Sequence, residues 1–149
     1  MTAYSYVLEV TPVTPSEARN FMLAKLSLHT DAWDVAEDLR NGVTEIVVID
    51  ARTEEYYQLG HIPGAMSFPH RTMNAESVAA LDRNKTYVTY CDGIGCNAST
   101  KGAYKLASLG FKVKELLGGL DFWGRDGHPL AVGAEPGALV NTASVECAC

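Results

Sequence analysis

The chain of 149 residues is long enough to bury the core of one α/β domain without help from disulfides or a metal. Apolar residues make up 47% and charged residues 20%, a balance typical of globular proteins and not of disordered or membrane-embedded chains. The formal charge of −6, with Lys and Arg scattered along the chain, argues against a nucleic-acid surface and against binding to anionic membranes. Because no basic run leads into an apolar core near the N-terminus, we expect a cytoplasmic location.

Two helices are predicted before the first long strand. Thr14-Pro15-Ser16-Glu17 is typical of a helix start and is followed by apolar residues at helical spacing. A second helix is predicted from about Asp31 to Asn41-Gly42, which is a typical helix stop. We therefore expect residues 1–30 to form an N-terminal helical extension.

The central part of the chain alternates between strand and helix patterns. Residues 45–50 form a β-branched run that is apolar on both faces, as in a parallel strand covered by helices on both sides. Further strands are predicted at 65–68, 86–91 and 113–117, and helices at 54–59, 75–81 and 98–109. Such alternation predicts an α/β domain with a parallel sheet over residues 31–130. The remaining residues, 131–149, are predicted to form an irregular tail.

Cys91 is the first candidate for chemistry, because it ends a predicted central strand at the sheet edge where ligands of open α/β sheets bind. The predicted substrate-binding loop follows it and consists of Asp92, Gly93, Ile94, Gly95, Cys96 and Asn97. Its two glycines allow a curled backbone whose N–H groups point inward, and the next helix adds the positive end of its dipole. Both features favour a thiolate, a persulfide or a bound oxyanion at Cys91. The alternative is a buried structural thiol.

Four segments carry a resemblance to a known family. They are Asp50-Ala51-Arg52, Gly60-His61-Ile62-Pro63-Gly64-Ala65, Tyr90-Cys91 and Leu117-Gly118-Gly119-Leu120-Asp121-Phe122-Trp123. In their order and spacing the chain resembles the single-domain rhodaneses over about residues 31–123. The resemblance implies a rhodanese-like fold with helices on both faces of a parallel sheet. It also implies a sulfurtransferase in which Cys91 takes sulfane sulfur as a persulfide, from thiosulfate or an organic persulfide, and passes it to a thiol or cyanide acceptor without a cofactor.

Within this resemblance, several motif residues are expected to be structural. Asp50, Arg52 and Glu54 fall at a strand end, where an ion pair is expected. His61 lies in a Gly-Pro turn and is expected to be a structural histidine and not a base. Gly118-Gly119 is expected to let a loop pass close to the active-site face.

The cysteine loop departs from the family pattern. Rhodaneses commonly place an arginine five positions after the cysteine, whereas here that position is Cys96. Because Arg is the usual bidentate ligand of oxyanions, and because Asp92 adds a repelling charge beside the nucleophile, thiosulfate is expected to be a poor donor. A phosphatase interpretation fails because Asn97 stands where phosphatases need their arginine.

The other cysteines leave alternatives open. Cys96 is either a resolving thiol, which attacks the Cys91 persulfide and releases sulfide as a disulfide forms, or a small apolar loop residue. Cys147 and Cys149 form a Cys-x-Cys tail that could bind a soft metal, alone or with the loop cysteines. We expect no metal site, because four-cysteine zinc sites normally space paired ligands two residues apart.

A second hypothesis for function belongs to another class. In it the protein is a thiol-based redox sensor or binding module, in which Cys91 and Cys96 alternate between dithiol and disulfide without sulfur turnover. The missing loop arginine favours this hypothesis. The partners expected for the enzyme are a small-molecule sulfur donor and a small acceptor, and the sequence leaves the oligomeric state open.

Overall fold

The computed structural model describes residues 2–139. In chain order the helices and strands are α1 (Pro15–Leu28), β1 (His29–Thr30), α2 (Ala32–Arg40), β2 (Ile46–Asp50), α3 (Glu54–Leu59), β3 (Met66–Ser67), β4 (Thr86–Tyr90), α4 (Ala98–Ser108), β5 (Lys112–Leu116) and α5 (Gly119–Arg125). Short 3₁₀ turns lie at Val7–Glu9 and His70–Thr72. Outside residues 75–81, the predicted strands and helices are present.

The five strands form one parallel sheet in the order β1-β5-β4-β2-β3. β4 is the central strand, and it pairs with β2 from Ile46 opposite Thr86 to Asp50 opposite Tyr90. Asp50 also lies opposite Ser67 of β3. The carboxyl ends of β2, β3 and β4 therefore meet at one edge of the sheet, which is where ligands bind in such folds.

Helices cover both faces of the sheet, as predicted from the apolar character of residues 45–50. Within β2, Val48 packs into one cluster and Ile49 into the other, because successive side chains of a strand point to opposite faces. On the first face, α2 and α5 bury a cluster centred on Trp123. On the second face, α4 contributes Leu106, which packs with Tyr87 and other buried apolar residues.

The N-terminal helix forms where the sequence predicts it. Thr14 is its N-cap, with the side-chain oxygen accepting a hydrogen bond from the amide of Glu17 at 3.3 Å. No residue of α1 is buried. Lys114 of β5 nevertheless links the helix to the sheet, donating from Nζ to the carbonyl oxygen of Leu26 at 2.9 Å. The strand β1 that follows then pairs with β5.

The helix predicted at residues 75–81 is wrong, because this segment forms turns. Asn74 accepts hydrogen bonds on its side-chain oxygen from the amides of Glu76 and Ser77, at 3.0 and 2.8 Å. Ser77 donates in turn from its hydroxyl to the carbonyl oxygen of Thr72 at 2.7 Å. Side chains of this kind form hydrogen bonds with nearby backbone groups, and these bonds compete with the backbone hydrogen bonds of a helix.

Residues 131–139 are irregular and anchored to the turn around His61. Ala131 forms an antiparallel bridge with His61, and the amide of Gly64 donates to the carbonyl oxygen of Pro136 at 2.8 Å. Leu139 packs against the first core cluster. Within the described part of the chain, no helix is both long and apolar enough to cross a bilayer.

Candidate active site

Cys91 lies at the base of a cavity of about 220 Å³ at the carboxyl edge of the sheet. It follows β4 directly, and only 2% of its surface is exposed. The cavity is walled by the residues after β2, by the turn after β3 and by Ala98, the first residue of α4. The structure therefore places the predicted nucleophile where three segments converge.

Cys91 and Cys96 form a disulfide, with their Cα atoms 6.1 Å apart. The loop between them is closed further by the amide of Cys96, which donates to the carbonyl oxygen of Gly93 at 3.1 Å. No thiol is free among residues 2–139. The nucleophile becomes available only after two-electron reduction of this bond. The structure thus brings the two loop cysteines together, and the resolving role of Cys96 stays a prediction.

The N-terminus of α4 points its amides toward the cysteine loop. Asn97 occupies the N-cap position but makes no side-chain capping hydrogen bond. The first-turn amides of a helix have no partner within the helix, and they carry the positive end of its dipole. Thr89 fixes the start of the helix against β4, because its hydroxyl donates to the carbonyl oxygen of Ser99 at 2.9 Å. This end of α4 favours a negative charge on the sulfur beside it.

The loop is also held from the side of α5. The amide of Leu120 donates to the carbonyl oxygen of Cys91 at 2.9 Å, and the amide of Asp121 donates to that of Asp92 at 2.8 Å. Gly119 has a φ of +55°, and a Cβ at this position would overlap the carbonyl oxygen of Cys91. The close approach predicted for Gly118-Gly119 is therefore confirmed.

A buried ion pair supports the loop from below. Arg52 donates from Nη2 to Oδ2 of Asp50 at 2.8 Å, and Asp50 also accepts from the Tyr90 hydroxyl at 2.8 Å. Burial by itself lowers the pKa of Arg52. The hydrogen bonds to Asp50 and the negative charge of that carboxylate have a larger combined effect, so the pKa of Arg52 is raised. Burial and the same charge raise the pKa of Tyr90. The predicted structural pair is confirmed for Asp50 and Arg52, whereas Glu54 is exposed at the start of α3.

Asp92, which the sequence analysis expected to repel an anionic donor, is paired with a cation. Its Oδ1 accepts from Nη1 of Arg52 at 2.8 Å, although 61% of its side chain is exposed. The repulsion of an anionic donor by Asp92 is therefore reduced by a neighbouring guanidinium. Arg52 thus connects the end of β2 to the residue that follows the nucleophile.

Only some of the predicted loop residues line the cavity. Asp92 and Cys96 line the cavity together with Cys91. Gly93, Ile94 and Gly95 face a shallow outer surface, and Ile94 is 80% exposed there.

His61 has the structural role predicted for it. It is fully buried, and its ring nitrogens contact the carbonyl oxygens of Tyr57 and Pro136 at 2.8 and 3.0 Å. Its ring also stacks on that of Tyr57 with centroids 3.6 Å apart. It does not line the cavity of Cys91.

Among the cavity residues that the sequence analysis missed are two basic ones, His70 and Arg71. They follow β3, whose end lies at the same sheet edge as Cys91. Burial lowers the pKa of His70, and the positive charges of Lys105, Lys101 and Arg71 lower it further. Because residues after parallel strands converge at one edge, the sequence indicates the segment after β3 as a wall of the site, but not which of its side chains line the cavity.

No group of three or more His, Cys, Asp or Glu residues within residues 2–139 is placed to hold a metal ion. Cys147 and Cys149 lie outside the described residues. Of the four thiols of the alternative metal site, Cys91 and Cys96 are joined in a disulfide, and the other two lie in a part of the chain on which the structure gives no information.

The arrangement of a cysteine loop between a central parallel strand and a helix agrees with a family model described as Rhodanese-like domain, which matches residues 33–126. The chain belongs to the rhodanese-like family. A solved structure with a similar fold, the BH2092 protein of Bacillus halodurans, is 39% identical, with a TM-score of 0.78 over 81% of this chain and 88% of that one. The predicted family and fold are confirmed.

Two curated relatives carry different names. An HTH-type transcriptional regulator of Mycobacterium tuberculosis is 35% identical over 108 residues, which are 72% of this rhodanese-like chain and 47% of that protein. The chain thus spans about half the length of this relative. Thiosulfate sulfurtransferase 16, chloroplastic, of Arabidopsis thaliana is 30% identical over 91 residues, which are 54% of this chain and 76% of that protein.

Proposed function

We propose that this rhodanese-like protein is a sulfurtransferase with Cys91 as its nucleophile. The observation that carries the proposal is the position of Cys91 at the base of a cavity, beside the uncapped N-terminus of α4. A thiolate is stabilised at such a helix end, and the thiolate is the form of cysteine that attacks sulfur. The similarity to a plant thiosulfate sulfurtransferase supports the same chemistry.

The reaction begins with reduction of the Cys91–Cys96 disulfide by two equivalents of an external thiol, which are oxidised to their own disulfide in exchange. The Cys91 thiolate then attacks the outer sulfur of the donor and forms a new S–S bond. The donor's own bond to that sulfur breaks, and its electron pair leaves on sulfite, when the donor is thiosulfate, or on a thiolate, when the donor is an organic persulfide. An acceptor thiolate or cyanide then attacks the outer sulfur of the Cys91 persulfide, and the Cys91 thiolate is released.

The chain's own residues supply the positioning in this scheme. The amides of Leu120 and Asp121 hold the carbonyl groups of Cys91 and Asp92 in place. Arg52 holds Asp92 beside it. The scheme needs no cofactor, and its partners are a small sulfur donor and a small acceptor in the cytoplasm.

Sulfur transfer by the reduced protein tests the proposal. Turnover is measured with thiosulfate and with glutathione persulfide as donors, and with cyanide and a thiol as acceptors, for the wild type, Cys91→Ser and Cys96→Ser. We expect Cys91→Ser to abolish turnover and Cys96→Ser to retain it. Equal loss in both variants, or no turnover with either donor, contradicts the proposal.

The disulfide favours one other candidate function, a redox sensor in which Cys91 and Cys96 alternate between dithiol and disulfide. In that case Cys96 is as necessary as Cys91, and no sulfur is transferred. Reversible reduction by thiols combined with absent turnover would support the sensor. Turnover that survives Cys96→Ser would exclude it as the sole function.

A further inference from the structure

A basic residue without a carboxylate partner lies at the rim of the Cys91 cavity. Arg71 lines this cavity and is exposed. Within residues 2–139, the ion pairs join Arg40 to Glu37, Arg52 to Asp50 and to Asp92, and Arg125 to Asp121. The guanidinium of Arg71 is therefore not neutralised by any carboxylate in this part of the protein.

The packing of α4 brings a second cation to the same side. Lys105 donates from Nζ to the carbonyl oxygen of His70 at 2.8 Å, which fixes α4 against the turn that carries Arg71. Lys101 lies one helical turn before Lys105, on the same face and nearer the cysteine loop. Burial is the largest cause of the lowered pKa of His70, and the charges of Lys105, Lys101 and Arg71 lower it further. All three cations therefore lie near His70.

These cations form a local positive surface on a chain whose formal charge is −6. The carboxylate nearest the nucleophile in sequence, Asp92, is held by Arg52. Cations without a carboxylate partner beside a cavity attract an anionic ligand and hold it by charge-assisted hydrogen bonds. The charge pattern therefore indicates a negative group on the molecule that reacts with Cys91.

The different exposure of two residues that line the cavity indicates which anion fits. Cys91 is only 2% exposed, whereas Arg71 is exposed. In thiosulfate the sulfonate is bonded directly to the sulfur that is transferred, so it must descend to Cys91. In a small organic persulfide, such as that of an amino-acid thiol, several bonds separate the carboxylate from the outer sulfur. The second geometry places the transferred sulfur at the buried Cys91 and the carboxylate near the exposed Arg71.

We propose that Arg71, assisted by Lys101, binds the carboxylate of a small organic persulfide while the outer sulfur of that persulfide reaches Cys91. The assignment rests on the proposed sulfurtransferase function and names its donor class. The Cys91 thiolate attacks the outer sulfur, the donor's S–S bond breaks, and the donor leaves as its thiolate. Arg71 is thus a specificity residue for the donor and takes no part in bond breaking.

The test compares two donors that differ only in the charge at issue, the persulfides of N-acetylcysteine and of N-acetylcysteine amide. The ratio of their kcat/KM values is measured for the wild type, for Arg71→Gln and for Arg19→Gln, a matched control on the exposed face of α1. We expect the wild type to prefer the carboxylate donor, and Arg71→Gln to lower that ratio about tenfold through KM. The control keeps the wild-type ratio, and Arg71→Lys keeps more of the preference than Arg71→Gln.

The two failures are distinguishable. Turnover with a donor ratio that Arg71→Gln leaves unchanged overturns the donor assignment and leaves the sulfurtransferase in place. If Arg71→Gln lowers kcat for both donors without changing the ratio of their kcat/KM values, the donor assignment is also overturned. Absence of turnover in the wild type with every donor removes the proposed function, and the donor assignment with it.

Discussion

Replacement of Asp50 by Asn tests whether the ion pair beneath the loop holds the fold at the active-site edge. The Asp50 carboxylate is completely buried and accepts hydrogen bonds from the backbone amide, Nε and Nη2 of Arg52 and from the hydroxyl of Tyr90. Asp50→Asn preserves the size of the side chain and removes its charge. The Arg52 guanidinium, whose side chain is 7% exposed, is then left with only the exposed Asp92 as an ionic partner.

The cost follows from the burial of the charge that remains. Removal of one partner of a buried ion pair destabilises proteins by about 3 to 5 kcal/mol, because the other charge stays desolvated. We expect a value near the lower end, about 3 kcal/mol, because Arg52 keeps its hydrogen bond to the carbonyl oxygen of Gly60 at 2.6 Å. For a chain of this length, that corresponds to a fall in Tm of about 10 °C.

Urea unfolding, with the redox state of the disulfide held constant, gives the free energy of unfolding for each variant. The matched control is Asp121→Asn, which removes the exposed ion pair with Arg125, whose side chain is 67% exposed. Exposed pairs contribute about 1 kcal/mol or less, so the control should unfold close to the wild type. If Asp50→Asn costs no more than Asp121→Asn, the ion pair does not support the fold and this reasoning is refuted.

Three further predictions concern the loop and the core. Gly119→Ala should destabilise the protein by about 2 kcal/mol, because the new Cβ overlaps the Cys91 carbonyl at a position with a positive φ. The control is Gly124→Ala in the same helix, whose Cβ meets open space, so it should leave the stability unchanged or raise it. Urea unfolding measures both free energies. Burial lowers the pKa of His128 in the folded protein, so the stability this gives is present above the ordinary value of 6.5 and is lost as pH falls below it. His128→Gln should therefore flatten the fall in unfolding free energy measured between pH 7 and pH 5, and an unchanged slope would contradict this. Cys96→Ser should leave the Cys91 thiol open to alkylation without added reductant. If Cys91 of this variant is alkylated as slowly as Cys91 of the unreduced wild type, the result would count against the disulfide.

The fold and the nucleophile could be predicted because their signals are local. Residues 45–50 are apolar on both faces, which fixes a strand between two helical layers, and Gly110 marks the end of the helix that begins after Cys91. The helix predicted at 75–81 fails for a local reason too, because Asn74 and Ser77 bind the backbone in competition with it.

The walls of the site could not be predicted in the same way, because they depend on contacts between distant segments. Arg52 pairs with Asp92, which lies 40 positions later in the chain. This pairing reduces the repulsion that the sequence analysis expected from the charge of Asp92. Arg71 became visible as a cavity residue only when the register of β2, β3 and β4 was known. Sequence spacing reports which residues share an element, and tertiary packing decides which of them face the nucleophile.

Peptide-level mass spectrometry of the reduced protein tests the central claim most directly. After incubation with an excess of glutathione persulfide and removal of the donor, the Cys91 peptide of the wild type and of Cys96→Ser should carry one added sulfur, about 32 Da. Addition of an acceptor thiol should remove that mass. An unmodified Cys91 in both proteins, with thiosulfate as well as with the persulfide, would contradict the assignment of Cys91 as the sulfur-carrying residue.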